Sequence, residues 1–369
     1  MNTENFAQST VRVLIFAVRN SEYPRHQLLK KKLLLIPGVE VTTVMIDWEA
    51  GQFLRLFRLF VEGWRGSRGT SVVFVSEFGL QYAPLGWAIS RLRGARLVVD
   101  HFVGTYETHV LDHRTHTRTS LRGRYFAGVD RMAYWLADVV TIDTRIRASK
   151  LSARFPRRAI RAVALPVGAP AWARERGRDA RVDGSPLKVL FYGNYLPLHG
   201  VPYVIEALAH IPSDTAFEIE IVGSSPQRES AEIRVKEIGR SDSVTFTDAL
   251  PEGILSEKIR RADVVLGVYG DTFKARTVVA NKVWQGLYMG KTVITRKSAA
   301  VSELAQIVGD QLLLVNPDDP QELADHIVRL SRGPEAAQFE PLIHELDRFV
   351  DEGYEVLFSR LGLRSLPNR

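Results

Sequence analysis

Hydrophobic and polar positions follow two alternating patterns along the first half of the chain. Short runs rich in β-branched residues, typical of buried parallel strands, are separated by longer stretches with apolar positions at helical spacing. The predicted strands are residues 11–18, 39–46, 72–75, 97–99 and 139–142, and the predicted helices are residues 24–35, 53–64, 83–92 and 121–136. This repetition predicts a doubly wound parallel sheet of the α/β class.

A second cycle of the same kind begins after residues 166–186, a stretch rich in Pro, Gly and Arg that is the best linker candidate. Its predicted strands are residues 187–192, 217–222, 244–246, 264–268, 293–295 and 312–315, and its predicted helices are residues 201–210, 230–238 and 321–331, the last capped by residues 316–320. We therefore predict two Rossmann-like domains, 1–168 and 186–334, followed by a helical segment, 335–369.

Composition narrows the class of protein. Of the 369 residues, 45% are hydrophobic and 25% are charged, as in soluble globular proteins. The absence of cysteine excludes disulfides, thiolate metal sites and a cysteine nucleophile. No apolar run approaches the ~18 residues of a transmembrane helix, and the N-terminal residues lack the features of a secretory signal. We expect a cytoplasmic protein.

The net charge of +7 calls for an anionic partner or surface. Seven Lys and Arg, with no Asp or Glu, lie within residues 145–161. No nucleic-acid-binding motif accompanies them, so a nucleic-acid partner is not expected. Anionic lipid at the cytoplasmic leaflet fits this run, and a solvated basic helix face explains it as well. If lipid binds here, replacing Arg154, Arg157 and Arg158 with Gln weakens binding to anionic vesicles.

The predicted helix 53–64 is apolar around most of its circumference. Its polar stripe consists of Arg55, Arg58, Glu62 and Arg65. A helix lying at a bilayer interface has this composition, and so does a buried helix of a Rossmann-like layer. Both interpretations stay open.

A polar loop between two predicted strands of the second half carries the main candidate chemistry. Asp271, Lys274 and Arg276 lie in this loop, and Asn281 and Lys282 begin a helix that Gly290 ends. Ligands of α/β sheets bind at the carboxyl edge of the strands, and helix N-termini favour anions. The loop therefore predicts a phosphate site, with an ordinary solvated loop as the alternative.

The first predicted strand of the second half also leads into a candidate loop. Gly193 and Gly200 allow close approach of the backbone to a ligand, and Asn194 and His199 lie between them. A histidine titrates near pH ~6.5, so His199 is a candidate phosphate cation that depends on pH. Combined with the 271–285 segment, the glycine pair points to one anion site.

Polar residues also follow a predicted strand of the first half, and they are Asp100, His101, Tyr106, Glu107 and Asp112. Such side chains can bind hydroxyl groups of a substrate or an attacking nucleophile. Two histidines eight residues apart with an acid between them also allow a metal site. No Asp-x-Asp pair occurs in the chain, so we expect a metal-independent site that uses cations and helix dipoles.

The first strand-to-helix turn lacks the G-x-G-x-x-G fingerprint of dinucleotide-binding proteins. Arg25 follows Pro24 at the start of the predicted helix. It is interpreted as a ligand for an anion, with an exposed helix-start arginine as the alternative.

Three stretches carry a resemblance to a known family. Residues 262–295 resemble the donor loop of family 4 glycosyltransferases of the GT-B fold, in particular a bacterial subgroup with the loop GDTPKAQRVIPNKVFQALAMGKPVVT. The subgroup's DxFxSxYETxVxDR stretch is matched at Asp100, Phe102, Tyr106, Glu107, Thr108, Val110, Asp112 and Arg114, and Arg25 lies in a similar EYPR sequence. The chain departs from the family at four positions. Asp271 and Gln285 stand near two usual glutamates, and Asn194 and His199 stand where Arg and Lys are usual.

The resemblance implies two Rossmann-like domains facing a cleft and a retaining, metal-independent, hexosyltransferase-like enzyme. Its co-substrate is a nucleotide-diphosphate sugar, with no further cofactor, and its acceptor is a hydroxyl of a glycan or lipid-linked molecule in cell-envelope polysaccharide synthesis, on the inner face of the membrane. The implied roles are diphosphate binding by Lys274, Arg276, Lys282 and His199, ribose binding by Gln285, sugar binding by Asp271, and acceptor-side chemistry by Asp100, His101, Tyr106, Glu107 and Asp112. A non-catalytic nucleotide-sugar or glycan-binding protein and a nucleotide-sugar epimerase are the alternatives.

Overall fold

The computed structural model describes residues 10–113, 115–156, 162–174, 184–333 and 342–363. By its contacts the chain divides into two units. The first consists of Met1–Val110, Arg114–Val167 and Phe349–Arg369, and the second of Leu111–His113 and Gly168–Arg348. Arg114, Arg157 and Arg158 lie outside the described residues, as do residues 175–183 of the predicted linker and residues 335–341 and 364–369 of the predicted C-terminal segment.

The described part of the first unit forms a six-stranded parallel sheet with the strand order β2-β1-β3-β4-β5-β6. The strands are β1 (Val11–Val18), β2 (Val39–Met45), β3 (Thr70–Val75), β4 (Arg96–Asp100), β5 (Val139–Ile142) and β6 (Val163–Ala164), and the helices are α1 (Pro24–Leu34), α2 (Gln52–Gly66), α3 (Ala83–Arg93), α4 (Leu121–Leu136) and α5 (Arg145–Arg154). A short 3₁₀ helix covers Leu80–Tyr82, and a π-helical turn covers Glu107–Asp112. Phe16, Val73 and Leu97 are central to its core.

The second unit contains a second six-stranded parallel sheet with the order β12-β11-β10-β7-β8-β9. Its strands are β7 (Leu187–Tyr192), β8 (Phe217–Val222), β9 (Val244–Thr247), β10 (Val264–Leu266), β11 (Thr292–Arg296) and β12 (Leu312–Val315), and its helices are α6 (Val201–Ala209), α7 (Arg228–Glu237), α8 (Glu252–Arg261), α9 (Asn281–Tyr288), α10 (Ala299–Val308) and α11 (Pro320–Arg332). Short 3₁₀ helices cover Ala171–Arg174, Ser241–Ser243 and Gly309–Gln311. Helix α12 (Ile343–Leu361) follows α11, and its residues from Phe349 onward group with the first unit.

Side-chain caps account for several helix starts. The side chains of Ser120, Thr144 and Ser298 accept hydrogen bonds from backbone amides in the first turns of α4, α5 and α10. Asp319 accepts from the Gln321 amide at 3.1 Å, which confirms the cap predicted within residues 316–320. At the other end of a helix, Gly290 follows α9 with a φ of 69°, a conformation that favours glycine.

The α/β fold with two doubly wound parallel sheets is confirmed. The sequence analysis missed strand β6 and helices α8 and α10, and it considered a helix within residues 145–161, where α5 lies, only as an alternative. Strand β6 has only two residues, too few for an alternating pattern. Five of the ten residues of α8 are charged, so its few apolar positions are easily overlooked.

Candidate functional site

The candidate phosphate-binding loops of the second unit meet where its strand order reverses. From β7 the chain continues to β8 and β9 on one side, and then crosses to β10 on the other side of β7. The loop of residues 193–200 follows β7, and the loop of residues 267–280 follows β10. Crevices for ligands form outside the carboxyl ends of the strands at such a reversal. The two loops singled out from the sequence therefore lie at one edge of one sheet.

Backbone hydrogen bonds hold these two loops together. The amides of Tyr269 and Gly270 donate to the carbonyls of His199 and Leu198, at 3.1 and 3.0 Å. Gly200 has a φ of 67°, and a Cβ atom there would lie 2.5 Å from the Gly270 nitrogen. Gly193 has a φ of 128°, and a Cβ atom there would lie 2.8 Å from the His199 ring. Both glycines are thus required by backbone conformation and by space.

Lys282 is the residue of this edge that most resembles a ligand-binding group. It lies in the first turn of α9 with only 4% of its surface exposed, and its ammonium nitrogen is 3.9 Å from the centroid of the Phe191 ring. In the part of the chain that the structure describes, this nitrogen has no hydrogen-bond partner. Burial lowers the pKa of Lys282 to about 7. A buried ammonium group costs free energy unless it is paired, so this position favours an anionic ligand.

His199 is half-buried beside Lys282. Its Nδ1 is hydrogen-bonded to the Asn194 carbonyl, which can only accept, so Nδ1 carries the proton. Burial, followed by repulsion from Lys282, lowers the pKa of His199 to about 3. His199 is therefore neutral at physiological pH in the free protein, and the expected titration near pH ~6.5 does not apply to that state.

Gln285 lies one turn after Lys282 on the same helix and is buried. The Tyr192 hydroxyl, at the end of β7, donates to its Oε1 at 2.6 Å. This bond fixes the carboxamide while leaving the amide hydrogens as donors for a ligand. Tyr192 was missed by the sequence analysis, although its position as the last residue of a strand is a signal for it.

The acidic and basic residues of the 271–276 loop are paired with each other. Asp271 accepts two hydrogen bonds from Arg276, at 2.9 and 2.5 Å, and both side chains are exposed. The buried guanidinium of Arg296, at the end of β11, lies 3.7 Å from Asp271 and donates to the Gly270 carbonyl. The sequence analysis missed Arg296, a charged residue at the carboxyl end of a buried strand. Lys274 is half-buried, Asn281 is half-buried at the start of α9, and Asn194 is exposed.

In the first unit, Arg25 and Asp100 form a buried ion pair. Two hydrogen bonds, of 2.6 and 2.8 Å, join the guanidinium of Arg25 to the carboxylate of Asp100, and both side chains are 2% exposed. Arg25 also donates to the Leu165 carbonyl, and the Thr141 hydroxyl donates to Asp100 at 2.9 Å. The pairing accounts for both residues without a ligand, and Arg25 is not the exposed helix-start arginine considered as an alternative. Their proposed roles stay predictions.

A second buried arginine holds Glu107. Arg147 donates to its carboxylate at 2.9 and 2.7 Å and also contacts Asp143. Tyr106 is half-buried, and its backbone amide donates to the Asp130 carboxylate at 3.1 Å. The buried His101 ring is 3.3 Å from the Asp130 carbonyl. The structure thus places Tyr106 and His101 around Asp130, and Glu107 against Arg147.

Buried carboxyl groups that retain an oxygen atom without a hydrogen-bond partner among the residues described include those of Asp112, Glu77 and Asp143. Both oxygens of Asp112 are of this kind, and Nε2 of His113 lies 4.0 Å from one of them. Glu77 follows β3; Ser76 donates to one of its oxygens, and the other has no such partner. Burial, and then the negative charge of Asp100, raise the pKa of Glu77. Glu77, two residues after the end of β3, was missed by the sequence analysis.

Metal ligands do not cluster in the described ranges. No three His, Asp or Glu side chains there are arranged as a group that could hold an ion. The expected independence of metals stays a prediction. Likewise, no helix in those ranges is both long and apolar enough to cross a membrane.

Part of the chain matches a known protein family. Residues 186–332 match the family described as "Glycosyl transferases group 1". None of the curated proteins matches the chain significantly.

Solved structures share the fold. Sucrose-phosphate synthase from Thermosynechococcus elongatus superposes with a TM-score of 0.68 at 15% identity, covering 95% of this chain and 99% of that one. HepE from Anabaena in complex with UDP gives 0.63 at 12% identity, covering 96% and 98%. The lipopolysaccharide outer core galactosyltransferase WaaB gives 0.62 at 13% identity, covering 95% and 98%. The chain therefore has the GT-B fold.

Proposed function

Because residues 186–332 form a group 1 glycosyltransferase domain in a chain of the GT-B fold, we propose that the protein is a retaining glycosyltransferase. It moves a hexosyl group from a nucleotide-diphosphate sugar to a hydroxyl of a glycan or lipid-linked acceptor. The proposed setting is cell-envelope polysaccharide synthesis, in the cytoplasm and at the inner face of the membrane.

The observation that carries the proposal is the buried, unpartnered ammonium of Lys282 at the reversal of the second sheet. A diphosphate bound there pairs with this ammonium and with the first amides of α9, whose N-cap residue, Ala280, has no capping side chain. Lys274 supplies a second cation on the adjoining loop. The nucleoside extends past Gln285, whose amide hydrogens donate to the ribose.

Transfer breaks the bond between the anomeric carbon and the diphosphate oxygen and forms a bond to the acceptor oxygen. Negative charge grows on the departing diphosphate, so Lys282 stabilises the transition state more than the ground state. In retention, the leaving phosphate oxygen takes the acceptor proton on the same face of the sugar. His199, neutral with its proton on Nδ1, presents a lone pair at Nε2 and accepts a hydrogen bond from a donor hydroxyl.

The acceptor side is assigned to the first unit and to Asp112. Asp100 and Glu107 act by fixing the shape of the carboxyl edge, because Arg25 and Arg147 already bind their oxygens. Asp112 and His101 are the groups proposed to contact the acceptor hydroxyl. Asp271 is proposed to contact the donor sugar once its pair with Arg276 opens.

The test is a screen of nucleotide sugars by thermal shift, followed by turnover and product mass. HepE has been crystallised with UDP and with UDP-glucose, so UDP-sugars are the first probes. We expect one donor to raise the melting temperature and to yield a product heavier than the acceptor by one hexosyl unit. Binding of donors without product from any acceptor contradicts transfer and favours a nucleotide-sugar-binding protein. Conversion of the sugar without acceptor favours an epimerase.

Metal independence has its own test. Activity persists in excess EDTA if cations and helix amides alone stabilise the diphosphate. Loss of activity in EDTA, restored by Mg²⁺ or Mn²⁺, contradicts this part of the proposal and returns attention to the acidic residues between Asp100 and Asp112.

A further inference from the structure

Helix α2 is neither a buried helix of the Rossmann-like layer nor a polar surface helix. Only Leu59 and Gly63 are buried in it, whereas Phe53 is 90% exposed and Phe57 is 66% exposed. The buried-helix interpretation of this segment is therefore wrong. Its apolar face needs an occupant, because contiguous exposed apolar surface of this kind marks interaction sites.

The exposed apolar surface continues onto the neighbouring helices. Helix α3 contacts both α2 and α4, and the guanidinium carbon of Arg93 lies 3.6 Å from the centroid of the Trp64 ring of α2. The exposed large apolar side chains of the three helices, here called the aromatic face, are Phe53, Leu54, Phe57, Phe60, Trp64, Trp87, Leu92, Leu121, Tyr125, Met132 and Trp135. Four of them are Trp or Tyr, which prefer the boundary between water and hydrocarbon.

The charge on these helices is mainly positive, although Arg58 pairs with Asp47 and Arg91 pairs with Asp138. Three arginines lie on α2, two on α3 and three on α4, against the acidic residues Glu62 and Asp130, of which Asp130 is buried. Arg122 and Arg124, both exposed, lie between the exposed Leu121 and Tyr125 in the sequence. An arginine next to an aromatic ring can reach a lipid phosphate while the ring enters the headgroup layer.

We propose that the aromatic face docks on a bilayer surface with anionic headgroups. The proposal rests on the proposed function, since a lipid-linked acceptor is what brings this enzyme to a membrane. A second copy of the chain fits the face poorly, because a twofold contact would set arginines against arginines. The basic run 145–161 fits less well than this face, because Arg145 pairs with Glu352 and Arg147 is buried against Asp143 and Glu107.

The experiment uses the full chain and vesicles of phosphatidylcholine with or without phosphatidylglycerol. Sedimentation measures binding, and quenching of tryptophan emission by brominated lipid measures insertion. We expect binding to the anionic vesicles, with quenching, and a decrease in binding at high salt. Phe53→Asp with Phe57→Asp is expected to weaken binding roughly tenfold or more. Arg122→Gln with Arg124→Gln is expected to weaken binding to anionic vesicles only.

Matched controls separate this surface from general effects. Ile233→Asp with Ile254→Asp replaces two side chains of the second unit, each 52% exposed, and is expected to leave vesicle binding unchanged. Donor affinity of every variant shows whether the chain is folded and whether the proposed function stands independently. The proposal is overturned if the double variant Phe53→Asp with Phe57→Asp binds vesicles as the wild type does. It is also overturned if binding is lost only in the triple variant Arg154→Gln with Arg157→Gln and Arg158→Gln. Self-association of the wild type that these Phe variants abolish assigns the face to a second copy and also overturns it.

Discussion

Each of the two sheets has a buried cation near the carboxyl ends of its strands, and the two cations differ in whether they are paired. In the first unit, Arg25 is buried against Asp100, with two hydrogen bonds and a carbonyl partner. In the second unit, Lys282 is equally inaccessible but has no hydrogen-bond partner in the described chain. A buried cation that is already paired organises the protein, whereas a buried cation without a partner is available for a ligand. The comparison favours a structural role for Arg25 and Asp100 and, under the proposed function, anion binding by Lys282.

The largest effect is expected from removing the Arg25–Asp100 ion pair at the edge of the first sheet. Arg25→Ala leaves the Asp100 carboxylate buried without its cation, so we expect a loss of about 3–5 kcal/mol in the free energy of unfolding. Urea denaturation measures it. Arg12→Ala is the matched control, because Arg12 forms an exposed ion pair with Glu40 in the same unit, and such pairs contribute about 0–1 kcal/mol. Wild-type stability of Arg25→Ala combined with loss of acceptor binding would show that Arg25 is a ligand group after all.

The next largest effect is expected on donor affinity when Lys282, at the edge of the second sheet, is replaced. Lys282→Met removes one charge-assisted contact to the diphosphate, so we expect donor affinity to fall by about 1.5–3 kcal/mol, measured by calorimetry. The same change is expected to stabilise the free protein, because it removes a buried ammonium and keeps the volume of the side chain. Each kcal/mol gained raises the melting temperature by roughly 2–4 °C. Lys236→Met on the exposed surface of α7 is the control and is expected to change neither quantity. Unchanged donor affinity in Lys282→Met excludes Lys282 as the diphosphate ligand.

The pH dependence of the second edge sharpens the comparison further. The pKa of Lys282 is lowered to about 7 in the folded protein, from 10.5. Between these values the unfolded chain binds a proton that the folded chain does not, so stability rises with pH in this window, and Lys282→Met removes this rise. A bound diphosphate raises the pKa again, so donor binding takes up a proton and weakens as pH rises above 7. Calorimetry in buffers of different ionisation enthalpy measures this proton uptake. If donor binding takes up no proton, Lys282 is not the ligand of the diphosphate.

The fold could be predicted because the buried strands are continuous runs of β-branched residues, as in β10 and β11. The two edges could be placed for the same reason, since residues after parallel strands share one side of a sheet. Whether a charge is free could not be predicted. Arg25 and Asp100 are 75 residues apart, and their pairing depends on how α1 packs against the end of β4.

The surface of α2 shows a second limit. Its pattern of Phe, Leu and Arg is the same whether the helix is covered or exposed, because periodicity reports which residues share a face and not what lies on that face. Glu77 and Arg296 were missed for a different reason. Each is one charged residue at a strand end without a neighbouring motif, and only the burial seen in the structure distinguishes it.

The smallest expected effect concerns the exposed pair of Asp271 and Arg276. Arg276 holds the pKa of Asp271 below its usual value, but both side chains face solvent, so a double-mutant cycle is expected to show little coupling in stability. If Asp271 contacts the donor sugar, Asp271→Asn weakens binding of the nucleotide sugar and leaves binding of the corresponding nucleoside diphosphate unchanged. If Arg276 contacts the diphosphate, Arg276→Gln weakens both ligands equally. If both variants bind both ligands with wild-type affinity, the pair of Asp271 and Arg276 only shapes the loop. Ligand binding at this edge of the second sheet then depends on Lys282 and its helix alone.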